Sequence, residues 1–262
     1  MTERHPVIFV GAGPGDPELI TIKGQKALAR ADLVLYAGSL VSPAVLEWAR
    51  PTAEFIDTAK LNLHEILDRI MAGHRDGRRV VRVHSGDPAL YGAIQEQLEV
   101  LEREDVPCEV IPGVTAAFAA AAALAQELTL PEVTQTVILT RAAGRTPVPE
   151  GEALHDLARH GATLVIYLSI KLIEGVVAQL IPAYGPEAPV VVAYRVSWPD
   201  QQLLRGTLST IAGLVQAAGI ERQALILVGP VLASRDGKLQ ARSKLYDQDF
   251  SHGFRAGGEN EL

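Results

Sequence analysis

Asp87 stands between Gly86 and Pro88 in the segment Ser85-Gly86-Asp87-Pro88-Ala89-Leu90-Tyr91-Gly92, directly after the apolar run Val80-Val81-Arg82-Val83-His84. A buried strand thus delivers one ionisable carboxylate to a turn. Pro88 fixes its own φ and drives Asp87 toward extended backbone, while Gly86 lets another molecule approach the main chain closely. A carboxylate so placed can hold a cation or accept a proton. Loops at the carboxyl ends of strands are where open α/β sheets bind ligands. Gly, Asp and Pro are also the commonest turn residues, so the segment alone leaves a ligand site and a surface turn both open.

Three further constellations could carry chemistry. Gly11-Ala12-Gly13-Pro14-Gly15-Asp16 follows an apolar run, and Asp32 lies 21 residues beyond Gly11, near the spacing of a dinucleotide-binding acid. Placement argues against that chemistry. Asp32 precedes the second strand, and Pro14 and Pro17 interrupt the turn where a phosphate-binding helix would begin donating N–H groups. A tight, backbone-rich loop lining another kind of pocket is the better reading. Pro112-Gly113-Val114-Thr115-Ala116-Ala117 is a sharp turn into a helix of very small residues. Such residues admit a flat ligand or another helix equally well. The last constellation is cationic: Arg141 and Arg145, Lys171, and Arg195, all in or beside strand-end loops. Guanidinium forks bind carboxylates bidentately, so together they suit a substrate rich in carboxylates; singly, each is an ordinary surface charge.

Other chemistry finds less support. His155 and His160 fall at i, i+5, off the face that a helical metal pair needs, and the remaining histidines show no ligand spacing, so no metal is expected. No Gly-x-Ser-x-Gly elbow is present. The single cysteine, Cys108, excludes an intramolecular disulfide and a cysteine metal cluster.

The elements that must position these residues alternate along the chain, the mark of a parallel sheet with crossover helices. Short apolar runs predict strands at 7–10, 33–36, 54–57, 80–83 and 108–111, with helices over 18–31, 43–49, 62–74 and 91–103 between them. The pattern then restarts: a helix at 116–125, strands at 135–140, 163–167, 190–194 and 224–228, helices at 171–181 and 207–217, and an antiparallel strand at 201–205. The fold class expected is α/β, two α/β domains in tandem. The boundary falls at Pro112-Gly113, giving domains over 1–112 and 113–240 and a polar, disordered tail over 241–262.

With 262 residues, 48% of them apolar, the chain can build sizeable cores. Lys and Arg number 24 against 31 Asp and Glu, a net charge of −7, which argues against a broad nucleic-acid surface. The residues from Met1 to Pro6 are polar, unlike a signal peptide, and no stretch approaches the ~18 apolar residues of a membrane span. A soluble, cytoplasmic protein is expected.

The segments Val10-Gly11-Ala12-Gly13-Pro14-Gly15-Asp16-Pro17-Glu18-Leu19, Ser85 to Gly92 and Ile111-Pro112-Gly113-Val114-Thr115-Ala116 together resemble the three signatures of the tetrapyrrole methylases. These are S-adenosyl-L-methionine-dependent enzymes of corrin and siroheme synthesis. The resemblance runs in order from Val7 to about Leu232. Within the family, Tyr36 to Val41, Tyr167 to Ile170 and Tyr194 to Asp200 most resemble the branch that methylates precorrin-4 at C-11, with the cobalt-free and cobalt-containing rings both open.

The resemblance implies the tetrapyrrole methylase fold, with the active site in a cleft between its two domains. It implies that Pro14, Ser85, Gly86, Asp87, Leu90, Thr115, Ala116, Leu168, Tyr194, Arg195 and Ala224 hold the cofactor. Ser85 and Leu168 stand where the family often carries Gly and Met. Substrate carboxylates would be held by Arg141, Arg145 and Lys171, beside Arg195. Asp87 or Asp16 would handle charge or a proton, with no residue compelled to be the base. The resemblance further implies a homodimer acting on a small tetrapyrrole, with neither nucleic acid nor membrane as partner. Another precorrin or uroporphyrinogen methyltransferase is the nearer alternative; an rRNA 2′-O-methyltransferase and a diphthine synthase, which share the fold, are the more distant ones.

Overall fold

A computed structural model describes residues 5–233 together with 243, 250, 251 and 253–255. The chain divides into two compact units: one reaches to Ala123 and takes in Arg195–Gln201, the other comprises Leu124–Tyr194 and the chain from Gln202 on. The first unit therefore runs past Pro112 and gains a segment from far along the sequence. The tail expected over 241–262 lies largely outside the described residues.

In the first unit, β1 (Val7–Gly11), β2 (Leu33–Tyr36), β3 (Glu54–Asp57), β4 (Val80–His84) and β5 (Cys108–Ile111) form a wholly parallel sheet in the order β3-β2-β4-β1-β5. Val10 is level with Val83 on one side and Ile111 on the other. This register brings the carboxyl ends of β4, β1 and β5 side by side, and the chemistry-bearing loops leave from those ends.

Strand alternation sorts the core into two layers. Val10, Val34, Val81 and Val83 pack with Leu28 of α1 (Ile22–Arg30) and Val45 of α2 (Pro43–Leu46). Val7, Phe9, Leu33, Leu35 and Val80 pack with Ile66 and Ile70 of α3 (Leu63–Arg75) and Leu101 of α4 (Gln95–Arg103). Each such side chain contributes about 1.5–3 kcal/mol on burial. The helix expected over 18–31 is divided. Asp16 caps a 3₁₀ turn, Pro17–Leu19, and Thr21 caps α1 separately by accepting the Gly24 amide. Likewise α4 begins at Gln95, four residues later than expected, because Tyr91 and Ala93 adopt φ of 56° and 48° and break the helical path. Asn62 and Glu65 form a reciprocal capping box that starts α3. Beyond β5, α5 (Ala116–Leu124) is almost entirely alanine.

The second unit corrects the expectation of a parallel sheet. Its strands, β6 (Val137–Arg141), β7 (Thr163–Tyr167), β8 (Pro189–Tyr194), β9 (Gln202–Thr207) and β10 (Ala224–Val228), run in the order β6-β7-β10-β8-β9, and only β6 and β7 pair in parallel. Connection length explains the mixture. β8 and β9 are joined by only seven residues, too few for a parallel crossover, so they pair antiparallel as expected of the 201–205 strand. The helix α8 (Ile211–Ala217) then carries the chain across β8, and β10 inserts antiparallel to both β7 and β8. Leu164, Ile166, Val190, Val192 and Ile226 pack with Leu154 of α6 (Leu154–Ala158), Val176 and Leu180 of α7 (Ile173–Tyr184) and Ile211 of α8. Among the described residues no helix is long and apolar enough to cross a membrane.

Candidate functional site

Three loops meet at the carboxyl edge of the first sheet. The Ala12 amide donates to the His84 carbonyl at 2.8 Å, and Gly13 and Gly86 exchange backbone hydrogen bonds at 3.2 and 2.8 Å. The loop after β5 presses on both. A Cβ on Gly113 would lie 2.1 Å from the Gly86 carbonyl oxygen, and one on Gly11 would lie 2.6 Å from Gly113 Cα. At both positions the three atoms nearest to an added Cβ are backbone atoms of the facing loops and strand, so no side chain can yield to it.

Asp87 joins the same three loops. Its Oδ1 accepts the Ala89 amide at 2.8 Å, and its Oδ2 accepts the Gly113 amide, also at 2.8 Å. No described cation is paired with it. A half-buried carboxylate fixed in this way presents a negative charge that is directed by backbone and matched by no described cation, which suits a cationic ligand such as a sulfonium or an ammonium group. Pro14, Ser85, Gly86, Asp87, Leu90 and Thr115, expected to hold the cofactor, are carried on these three loops in the first unit, and Ala116 is the first residue of α5 directly after the third.

Asp16 sits elsewhere in the hydrogen-bond scheme. Its carboxylate accepts the Glu18 amide at 2.9 Å as a turn cap, and its own amide donates to Ser197 Oγ at 3.0 Å. The ribose-acid reading of Asp32 fails in space as well as in sequence, since its carboxylate accepts the Arg79 amide at 2.7 Å and pairs with Arg50 at the start of β2.

Two site residues escaped the sequence reading: the chain's only tryptophans. Trp198 Nε1 donates to the Pro14 carbonyl at 2.8 Å and Trp48 Nε1 to the Pro17 carbonyl at 3.2 Å. Both indoles thus hold one loop from positions distant in sequence, and nothing in local spacing announces that pairing. Arg195 does not project as a free cation. Its guanidinium lies 4.1 Å over the Trp198 ring and donates to Asp200 at 2.8 Å.

Beneath the Asp87 turn, Arg82 and His84 are buried side chains of β4. Burial pushes the His84 imidazole down to about 3, and the neighbouring Arg82 charge adds to the effect, while a hydrogen bond from the ring to the Gly92 backbone opposes it. Burial also lowers Arg82 to about 10. His84 is therefore neutral and stacks on Phe9 with ring centroids 5.9 Å apart. It packs; it does not exchange protons near neutrality.

The second unit carries its own ordered loops. Ser169 Oγ accepts the Ala142 amide at 2.8 Å and donates to the Tyr167 carbonyl at 2.7 Å, tying together the loops after β6 and β7. Arg141 donates to the carbonyls of Ala142, Thr146 and Pro147, so it shapes its own loop. Arg145 and Lys171 are exposed and form no ion pair with a described carboxylate. Leu168 has φ of 56° and is 73% exposed, an apolar side chain presented to solvent by strained backbone. Tyr194 and Ala224 are opposite one another at the β8–β10 edge. Among the described residues no group of three or more His, Cys, Asp or Glu side chains is placed to hold a metal ion.

A glycine-laced junction of strand-end loops, beside a carboxylate that no described cation pairs with, stands where open α/β sheets bind small molecules. Residues 6–212 match the model of the tetrapyrrole (corrin/porphyrin) methylases, and the chain belongs to that family of methyltransferases. It is 51% identical to the cobalt-precorrin-4 C(11)-methyltransferase of Methanocaldococcus jannaschii, over 97% of this chain and 98% of that one. It is also 51% identical to the precorrin-4 C(11)-methyltransferase of Pseudomonas aeruginosa, over 96% and 99%. Among solved structures, a cobalt precorrin-4 methyltransferase of cobalamin biosynthesis superposes with a TM-score of 0.84 at 50% identity, over 86% of this chain and 95% of that one. The uroporphyrin-III C-methyltransferase of Thermus thermophilus, solved with S-adenosylhomocysteine, gives 0.71 at 29% identity, over 87% and 93%.

Proposed function

We propose that this protein transfers the methyl group of S-adenosyl-L-methionine to carbon 11 of precorrin-4 and releases S-adenosyl-L-homocysteine. The observation that carries the reading is Asp87: a carboxylate that no cation among the described residues pairs with, held by the Ala89 and Gly113 amides where three loops meet. The two relatives with 51% identity along almost their whole length support the choice of substrate.

When bound, the donor supplies an electrophilic methyl group on a positively charged sulfur. The methyl–sulfur bond breaks as a carbon–carbon bond forms at the enamine-like ring carbon, so no covalent enzyme intermediate is needed. The protein's contribution is orientation, which can supply roughly 7–11 kcal/mol of a barrier. Pro14, Ser85, Gly86, Asp87, Leu90, Thr115, Ala116 and Arg195 of the first unit, and Leu168, Tyr194 and Ala224 of the second, are the residues that the family resemblance assigns to the donor. Each Asp87 oxygen accepts one amide and keeps a further lone pair, so this residue would stabilise positive charge or accept a proton. Asp16, engaged as a turn cap, acts through the loop. Arg145 and Lys171 are the cations that would meet the ring carboxylates, and Arg141 supports them by shaping residues 142–147. The reading includes a cytoplasmic homodimer without a nucleic-acid partner, which light scattering of the purified protein tests for assembly.

The decisive assay uses methyl-labelled S-adenosyl-L-methionine with precorrin-4, cobalt-precorrin-4, rRNA and diphthine precursor protein in separate reactions. Label at C-11 of one of the two rings is expected. Label in rRNA or protein, or in none of the four, overturns the reading.

A further inference from the structure

We propose that Trp198 is a positioning residue for the methyl donor, acting through the loop that carries Pro14. This rests on the cofactor reading above and extends it to a residue that does not itself touch the donor.

Within the loop over residues 12–19, Gly13 pairs with Gly86 and Asp16 caps the following turn. Between those two ties lie Pro14, which has no N–H to donate, and Gly15, which has no side chain. The Pro14 carbonyl takes its hydrogen bond from outside the loop. Trp198 supplies it by donating its indole N–H at 2.8 Å. The ring also lies against Gly15, where an added Cβ would fall 2.1 Å from Trp198 Cδ1. Indole and glycine are therefore matched surfaces, and the hydrogen bond fixes their register.

Trp198 is in turn held more firmly than an ordinary loop residue. The Arg195 guanidinium stacks at 4.1 Å from the ring centroid, with Asp200 fixing its far side. The Ser197 amide donates to Gln201 Oε1 at 2.7 Å, and Ser197 Oγ accepts the Asp16 amide at 3.0 Å. Arg195 and Ser197 both adopt positive φ, 42° and 66°. Non-glycine residues adopt such a conformation uncommonly, and surrounding contacts must hold them in it. The strained segment makes its long-range hydrogen bonds to the loop that carries Pro14. On this geometry Arg195 also contributes by stacking on Trp198.

Calorimetry with S-adenosyl-L-homocysteine on the full-length protein tests the proposal. Trp198→Phe removes the indole N–H while keeping an aromatic ring, and Gly15→Ala displaces the ring from the other side. Each is expected to weaken binding about tenfold, the equivalent of one ordinary hydrogen bond, and the double variant to weaken it no further. In turnover the loss is expected in the KM for the methyl donor, with kcat nearly unchanged. Trp198→Phe binding within twofold of wild type overturns the proposal. If the wild-type protein binds no S-adenosyl-L-homocysteine, the cofactor reading fails, and the positioning role for the donor fails with it. Amide exchange across residues 12–19 then shows separately whether Trp198 holds the loop: faster exchange in Trp198→Phe means that it does, unchanged exchange that it does not.

Discussion

The Asp87 carboxylate accepts the Gly113 amide at 2.8 Å, across 26 residues of sequence. This one bond joins the loop after β4 to the loop after β5, while the second oxygen closes the local turn on Ala89. The side chain most open to a chemical reading is thus also a structural tie.

Replacing Asp87 with alanine should abolish binding of S-adenosyl-L-homocysteine and lower stability by about 2 kcal/mol, since two amides lose a charged acceptor. Asparagine has one acceptor oxygen for two donors and should recover the stability only in part. Calorimetry and urea unfolding check the two effects separately. Unchanged affinity in Asp87→Ala would remove this residue from the donor site.

Two glycines of the junction should respond differently to alanine. At Gly113 the added Cβ would meet the Gly86 carbonyl oxygen at 2.1 Å, with no flexible side chain to give way, so Gly113→Ala should fail to yield stable protein. At Gly86 the nearest atom would be 3.7 Å away and the obstacle is φ of 65°. Gly86→Ala should therefore fold with a loss of about 1–2 kcal/mol. Thermal melts of the two variants test the contrast.

His84 predicts a pH dependence of stability. The folded imidazole titrates at about 3 against an ordinary value of 6.5, chiefly through burial and then through Arg82. Between those values the unfolded chain binds a proton that the folded chain refuses. Stability is thus fully retained above about pH 6.5 and falls as pH drops below it, by at most about 1.4 kcal/mol per pH unit. His84→Phe, which can keep the stacking on Phe9, should flatten this slope in unfolding curves taken from pH 7 to pH 4.5. An unchanged slope would assign the acid loss to other groups.

Arg145→Ala and Lys171→Ala should each raise the KM for the tetrapyrrole several-fold while leaving S-adenosyl-L-homocysteine affinity untouched. Both cations are exposed, so the wild-type KM should also rise with salt. Arg141→Lys should act differently. A lysine cannot serve three carbonyls as one guanidinium does, so amide exchange over residues 142–147 should increase. A KM that ignored both charge removals would place the substrate carboxylates elsewhere.

Apolar periodicity and punctuation determined much of this protein. The strands, the α/β class and the three glycine-bearing loops could all be read from local patterns, because strand burial and turn chemistry depend on neighbours in sequence. The loops were also legible as a set, through their resemblance to one family.

What local patterns could not carry was decided by tertiary structure. The direction of β10 follows from the α8 crossover, which keeps the direction of β9 and places β10 between β7 and β8, antiparallel to both. The engagement of Arg141 and Arg195, both readable as free cations, depends on carbonyls, a carboxylate and an indole brought close by folding. The holding of one proline-rich loop by Trp48 and Trp198 joins positions 31 and 184 residues apart. Hydrogen bonds of this range leave no trace in spacing, since only the packed sheet sets the distance between the atoms that make them.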